Sequence, residues 1–361
     1  MMNNKNKILF IAEAGVNHNG DINKALQLVD VAAESGADII KFQYYKTENL
    51  LHVDTPKSGY QLSNTSISES QFEMLKKLEL NSDDLEKIIS RCIDKGIEFL
   101  ATPFDENSLD ELINYGVKRI KIPSGEITNG PLILKSAISK LPIILSTGMS
   151  HLSEIEDALG LIAYGRTNQE KNISTLNIKN ILYTHDFYSS LNDNVTVLHC
   201  TSQYPAPVNS INLNAMQEIS KKFNVSVGYS DHTEGTAIAI ASAALGARVI
   251  EKHFTLDRSL PGPDHKASLE PNELFSLVRD IRSIQLALGT NEKKLFNCEK
   301  ENRLIARKSL TARCEIRKGT KFSKENLIAI RPGNGISPMN YWDILGSIAD
   351  KDFKTGETIL I

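Results

Sequence analysis

Eight short apolar runs recur through the first 255 residues, and each closes on a polar residue able to bind phosphate, hold a metal or move a proton. They are ILFIAEAG closing on Glu13, IIKFQ on Lys41 and Gln43, EFLATPF on Thr102, and RIKIPSGE on Lys121, Ser124 and Glu126. The remaining four are PIILSTG on Ser146, VTVLHCTS on Thr201 and Ser202, VSVGYSDH on Ser230 and His232, and RVIEKHF on His253. Continuous apolar runs bounded by turn residues read as strands buried on both faces, and helix-length segments between them make the sheet parallel. Eight such units predict an α/β fold, a (β/α)8 TIM barrel. In that fold the active site is built at the carboxyl ends of the strands, where this chain puts its reactive groups.

With 361 residues, 41% of them apolar, the chain is long enough for a barrel and a smaller second domain. A net charge of −3 and scattered Lys and Arg give no reason to expect nucleic acid or an anionic membrane as partner. Cys92, Cys200, Cys298 and Cys314 are far apart and form no Cys-x-x-Cys, so reduced thiols in a cytoplasmic protein are expected. The first apolar run is too short for a signal peptide and is broken by Glu13.

Apolar periodicity predicts helices over 24–37, 84–95, 108–115, 154–161, 214–223, 236–245 and 271–288, with Ser108 and Ser153 as N-caps and Gly36, Gly96 and Gly116 as C-terminal stops. Residues 45–80 extend the loop after the second strand, on the side of the chemistry, and read as a partial lid. Residues 166–194 lead into the sixth strand from the opposite face and read as a polar surface excursion. The resulting domains are a barrel over 1–289, a charged linker over 290–308, and a small β-rich module over 309–361 with strand-like SLTAR, LIAIRP and TILI.

His232 and His253 end neighbouring strands, so their imidazoles could converge on one catalytic divalent metal; a lone histidine would more often be structural. His199 reads as a packed core histidine. Lys41 and Lys121, with Thr102, Ser124, Ser146 and Ser230 around the same rim, make a candidate anion site for phosphate or carboxylate. Glu13, Glu126 and Asp264 are the carboxylates expected to face the pocket as acid, base or hydroxyl clamp, although Asp264 could equally be a turn residue of LPGPDHK. GVNHNG resembles a glycine loop only weakly, since its spacing is not that of a nucleotide fingerprint.

The ordered set AEAGVNHNG, KFQ, TPFD, KIPSGE, LSTGM, HCTSQYPAP, GYSDHT, EKHFTLD, GPDHKASLEP and IRPGNGISPM resembles the bacterial sialic acid synthase family over nearly the whole chain. That family condenses phosphoenolpyruvate with an N-acylated mannose-type sugar to make nine-carbon acids, and its C-terminal part is an antifreeze-like (SAF) module. The resemblance implies that Lys41, Thr102, Lys121, Ser124, Ser146 and Ser230 hold phosphoenolpyruvate. It implies manganese or magnesium on His232 and His253, and acceptor contacts from Gln43, Glu126, Tyr204 and Asp264, with Glu13 near the reacting carbons. Arg331 would reach the sugar's N-acyl group from the partner subunit of a domain-swapped homodimer. Ser202 stands where some members have Asn, and the 166–194 stretch is longer than the family pattern.

Three rival readings are another phosphoenolpyruvate-condensing barrel, a metallohydrolase and a non-catalytic sugar-binding barrel. The antifreeze-like tail disfavours the first. The second usually opens with His-x-His on strand 1, where this chain has Glu13 and Asn17-His18. Retention of both lysines, both histidines and Asp264 argues against the third. The acceptor stays open between N-acetylmannosamine and 2,4-diacetamido-2,4,6-trideoxymannose.

Overall fold

A computed structural model describes residues 7–65, 69–168, 171–192 and 194–360. The eight apolar runs are eight parallel strands: β1 (Leu9–Gly15), β2 (Ile39–Tyr44), β3 (Glu98–Pro103), β4 (Ile120–Ile122), β5 (Ile143–Ser146), β6 (Val195–Cys200), β7 (Ser226–Asp231) and β8 (Val249–His253). Their order is β3-β2-β1-β8-β7-β6-β5-β4, and β3 lies beside β4, so the sheet closes as a TIM barrel. Two compact units result, Met1–Gly289 and Thr290–Ile361.

Alternation along the strands divides their side chains. Ile11, Ile39, Leu100, Ile144, Leu198 and Val249 form a cluster of their own inside the barrel. Phe10, Ala12, Ile40, Phe42, Val197 and Ile250 face outwards into the larger core beneath the helices. Two residues further along each strand, the interior changes from apolar to polar, and that step creates the site.

The helices form where the periodicity placed them, with corrections at two starts. Ser108 is not a cap: the helix Glu106–Asn114 begins earlier, and Asp105 accepts from the N–H groups of Asn107 and Ser108 at 3.0 Å. Ser153 lies inside Leu152–Asn168, where Glu154 instead reaches back to the N–H of His151 at 2.8 Å. Gly96 ends the helix Ser82–Lys95 in the left-handed conformation that favours glycine.

The stretch before β6 is more than a polar excursion. It folds into helices Thr175–Ile181 and His185–Leu191, which bury Ile181, Phe187 and Leu191 against the barrel's outer core. Gly160 permits this packing, because a Cβ there would meet Leu182 at 2.9 Å. Residues 45–80 carry three short helices, Thr47–Leu50, Gly59–Asn64 and Gln71–Lys76. Asn64 ties this excursion to the loop after β8 by donating to the Pro263 carbonyl at 2.8 Å.

In the second unit, β9 (Ser309–Ala312) pairs antiparallel with β10 (Leu327–Ile330). Of the expected TILI strand, Ile361 lies outside the described residues, and Thr358 forms an antiparallel bridge with Thr311. A small core of Leu310, Ile316, Phe322, Leu327, Phe353 and Ile359 holds the unit together. The charged stretch 290–308, expected as a linker, belongs to this unit; it is helical over Lys300–Ala306, and Leu304 accepts from the N–H of Gly333 at 2.7 Å.

Candidate active site

One step of two residues from the apolar interior layer reaches Glu13, Lys41, Thr102, Ser146, Cys200, Ser230 and Glu251, joined by Lys121 from β4. A further step reaches Gln43, Ser202, His232 and His253. All of these residues line one cavity of about 550 Å³, together with Ser124, Glu126 and Tyr204. A larger hollow of about 720 Å³ lies among residues 164–186, but it is an open depression over the outer helices, away from the strand ends.

The cavity floor is a closed ionic network. Lys41 contacts Glu13, lies 3.7 Å from Glu251 and donates to Thr102 Oγ1 at 3.1 Å. Lys121 donates to Glu251 Oε1 at 3.1 Å, and Ser230 donates to the same oxygen at 2.9 Å. Burial opposes the charge on Glu251, but Lys121 and Lys41 outweigh it and hold the carboxyl down at about 2. Burial dominates at Glu13 instead; with Glu251 repelling it and Lys41 only partly compensating, its pKa rises to about 7. Glu251 is thus the resident anion, while Glu13 can exchange a proton near neutrality.

Four buried polar atoms of the cavity lining have no hydrogen-bond partner: Glu13 Oε1, Ser146 Oγ, Glu251 Oε2 and His253 Nδ1. Native interiors rarely leave such atoms unsatisfied, so their concentration in one cavity marks a ligand position. Beside them Ser124 Oγ accepts from the Gly148 N–H at 2.9 Å. A Cβ on Gly148 would collide with Ser202 Oγ at 2.1 Å and Ser124 Oγ at 2.9 Å, so only glycine lets these hydroxyls draw together.

His232 and His253 stand with ring centroids 5.8 Å apart. His232 Nδ1 is fixed 2.7 Å from the Thr201 carbonyl, which leaves Nε2 on the cavity side of the ring. Burial pushes the His232 pKa down to about 4, and burial with the neighbouring ring takes His253 well below the usual value, so both are neutral as metal ligands must be. Among the described residues no group of three His, Cys, Asp or Glu forms a complete metal cage. Two neutral imidazoles facing one cavity are of the donor type that a divalent ion takes.

Tyr204 packs on His232 with centroids 4.2 Å apart, and Tyr60 from the 45–80 excursion packs on Tyr204 at 4.9 Å. Glu126 is half-buried and accepts from Asn129 at 2.7 Å. Asp264 is outside the cavity lining; it is buried, and burial raises its pKa to about 6 although Lys41 pulls it down. Arg331 belongs to the other unit, exposed directly after β10. His199 lies outside this cavity, 2.6 Å from the Ile211 carbonyl. The weak glycine loop is structural: Asn17 donates to the Phe254 carbonyl and Ser268 Oγ at 2.8 and 2.9 Å.

Sequence reading missed Glu251 and Tyr60. Glu251 was detectable, because it shares the inward face of β8 with His253, two residues on. Nothing in the spacing of the 45–80 segment points to Tyr60.

A model described as the NeuB family matches residues 28–293, and a SAF domain model matches 307–361. The chain belongs to the NeuB family. It is 48% identical to N,N'-diacetyllegionaminic acid synthase of Campylobacter jejuni over 98% of this chain and 99% of that protein. It is 45% identical to the Legionella pneumophila protein of the same name, over 97% and 92%. A crystal structure of N-acetylneuraminic acid (sialic acid) synthetase from Leptospira borgpetersenii, in complex with citrate, is similar with TM-score 0.66 and 33% identity, covering 82% of this chain and 90% of that one. As a NeuB-family member the chain is a phosphoenolpyruvate-condensing nonulosonate synthase, a transferase. No helix of the described residues is long and apolar enough to cross a membrane.

Proposed function

We propose that this synthase condenses phosphoenolpyruvate with 2,4-diacetamido-2,4,6-trideoxymannose, giving N,N'-diacetyllegionaminate and inorganic phosphate. The observation that carries the chemistry is the set of unpaired buried polar atoms around Lys41 and Lys121. Two full-length relatives named as diacetyllegionaminic acid synthases support this acceptor over N-acetylmannosamine.

Lys41 and Lys121, with Thr102, Ser124, Ser146, Ser202 and Ser230, hold the phosphate and carboxylate of phosphoenolpyruvate in a site already organised for negative charge. C3 of phosphoenolpyruvate attacks the acceptor's aldehyde carbon, water adds at C2, and the bridging carbon–oxygen bond breaks as phosphate leaves. Glu13, whose pKa lies near neutrality, takes the proton of that water. Gln43, Glu126 and Tyr204 of the cavity lining, with the buried Asp264, orient the acceptor. A divalent ion, manganese or magnesium, held by His232 and His253 would supply Lewis-acid polarisation of the aldehyde. In this reading the enzyme works in the cytoplasm as a homodimer, and Arg331 reaches the N-acyl group on the partner's barrel.

Phosphate release measured with the two sugars side by side tests the acceptor. Faster turnover of N-acetylmannosamine would overturn it. Manganese titration followed by electron paramagnetic resonance tests the ion site: His232→Ala should lose the bound signal, and unchanged binding would remove the histidines from that role.

A further inference from the structure

The cavity has two chemically different sides. Its floor is polar and made by strand ends, whereas Leu50, Leu51 and Leu75 from the 45–80 excursion, with Phe104 after β3, supply an apolar wall. All four are half-buried and in contact with the cavity. The wall is held from behind: Leu50, Leu75 and Phe104 pack on a buried cluster of Val16, Tyr45, Met74 and Leu78. Tyr45 meets Phe104 edge-on at 5.7 Å, and its hydroxyl donates to the Leu75 carbonyl at 3.2 Å.

The only cations among the described lining residues are Lys41 and Lys121, both committed to the floor. The excursion's own buried lysine, Lys57, pairs with Glu69 at 3.2 Å and is outside the lining. The excursion also brings Thr55, Ser58, Tyr60, Gln61 and Gln71 into the lining, but Leu50, Leu75 and Phe104 share one backing cluster, and the side chains of that patch offer a substituent neither charge nor hydrogen-bond partner. C1 of the acceptor must reach phosphoenolpyruvate at the floor, which leaves C6, at the other end of the sugar chain, to the wall.

We propose that Leu50, Leu51, Leu75 and Phe104 form a methyl subsite that reads C6 of the acceptor and selects a 6-deoxy sugar over a hydroxymethyl or phosphorylated one. This rests on the acceptor assigned above. Hiding the C6 methyl from water rewards the deoxy sugar, whereas a C6 hydroxyl placed there loses its hydrogen bonds. A single such group in an apolar pocket discriminates by about 10–100-fold in kcat/KM.

The test compares N-acetylmannosamine with 2-acetamido-2,6-dideoxymannose, which differ by one oxygen, in the wild type, Leu51→Asn and Leu75→Asn. The KM for phosphoenolpyruvate serves as the control for an intact floor. The wild type should favour the deoxy sugar by about 10-fold or more, and each variant should bring the ratio towards unity. Leu51 is outside the packed cluster, so its variant decides the matter if Leu75→Asn fails to fold. A wild type that uses the 2,4-diacetamido sugar yet ignores the C6 oxygen overturns the subsite and leaves the acceptor standing. A deoxy preference unaffected by Leu51→Asn does the same. A wild type that prefers N-acetylmannosamine to both deoxy sugars overturns the acceptor and the subsite together.

Discussion

Lys252 and Asp231 form an ion pair at 2.8 Å with both side chains fully buried, one residue before His253 and one before His232. Lys252 also donates to the Thr233 carbonyl at 2.8 Å, and Asp231 accepts from the N–H and hydroxyl of Thr233 at 2.9 and 2.8 Å. The pair bridges β7 to β8 where they are in register, on the side opposite the two histidines. It is thereby placed to hold together the two strand ends that carry His232 and His253.

Lys252→Met should leave Asp231 buried without a partner and cost about 3–5 kcal/mol in a urea titration. The double variant Lys252→Met/Asp231→Leu should recover most of that stability without recovering manganese affinity. Native affinity in the double variant would make the pair a matter of stability alone.

Glu251→Gln should lower kcat by about 100-fold, because Lys121 and Lys41 lose the carboxylate that aims them. Phosphoenolpyruvate binding should be retained, since removing a negative charge from the floor does not repel an anion. Calorimetric titration beside steady-state kinetics separates the two; a loss confined to KM contradicts this role.

Asp38 joins the amino-terminal strand to the last barrel helix, accepting from the Phe10 N–H at 2.8 Å and from Arg282 at 2.6 Å, beside Lys7. Burial opposes its charge, but Lys7, the Phe10 N–H and Arg282 outweigh burial and hold its carboxyl below the usual range. A depressed folded-state pKa contributes stability above the unfolded value, about 3.9, that is lost as pH falls through the folded value. Asp38→Asn should therefore lower the thermal midpoint at pH 7 and flatten its acid dependence below pH 4 or so. An unchanged slope would mean that Asp38 carries no part of the acid transition.

Arg331→Ala should impair acceptor use, and Glu13→Gln should impair the chemistry at the barrel floor. In a domain-swapped homodimer, mixing the two inactive variants builds one site with Glu13 from one protomer and Arg331 from the other. Activity should reappear in heterodimers isolated with two affinity tags. Heterodimers as inactive as the parents would place Arg331 over its own barrel, or outside the site altogether.

The barrel was legible because its strands are buried on both faces and end abruptly in polar residues, so that Glu13, Lys41, Thr102, Ser146, Ser230, His232 and His253 all arrive at one mouth. The same logic passed over Glu251 because it lies inside an apolar run, although strand alternation puts it on the inward face with His253; its pairing with the lysines is visible only in space. Helix starts at Asp105 and before Ser153 were misplaced because caps act over a few residues, below the resolution of apolar periodicity. The 166–194 stretch looked polar because its three buried anchors, Ile181, Phe187 and Leu191, are widely spaced among exposed residues.

The sequence alone determined which side chains reach the carboxyl ends of the strands, since alternation and the polar step at each strand end are local properties. Only the tertiary structure decided their charge and pairing. Lys121 and Glu251 are 130 residues apart, yet their contact makes one carboxylate a fixed anion. Glu13, buried in the same floor, is left to exchange its proton near neutrality. Burial and Coulomb interaction depend on distances in space, and closing the barrel is what makes those distances short.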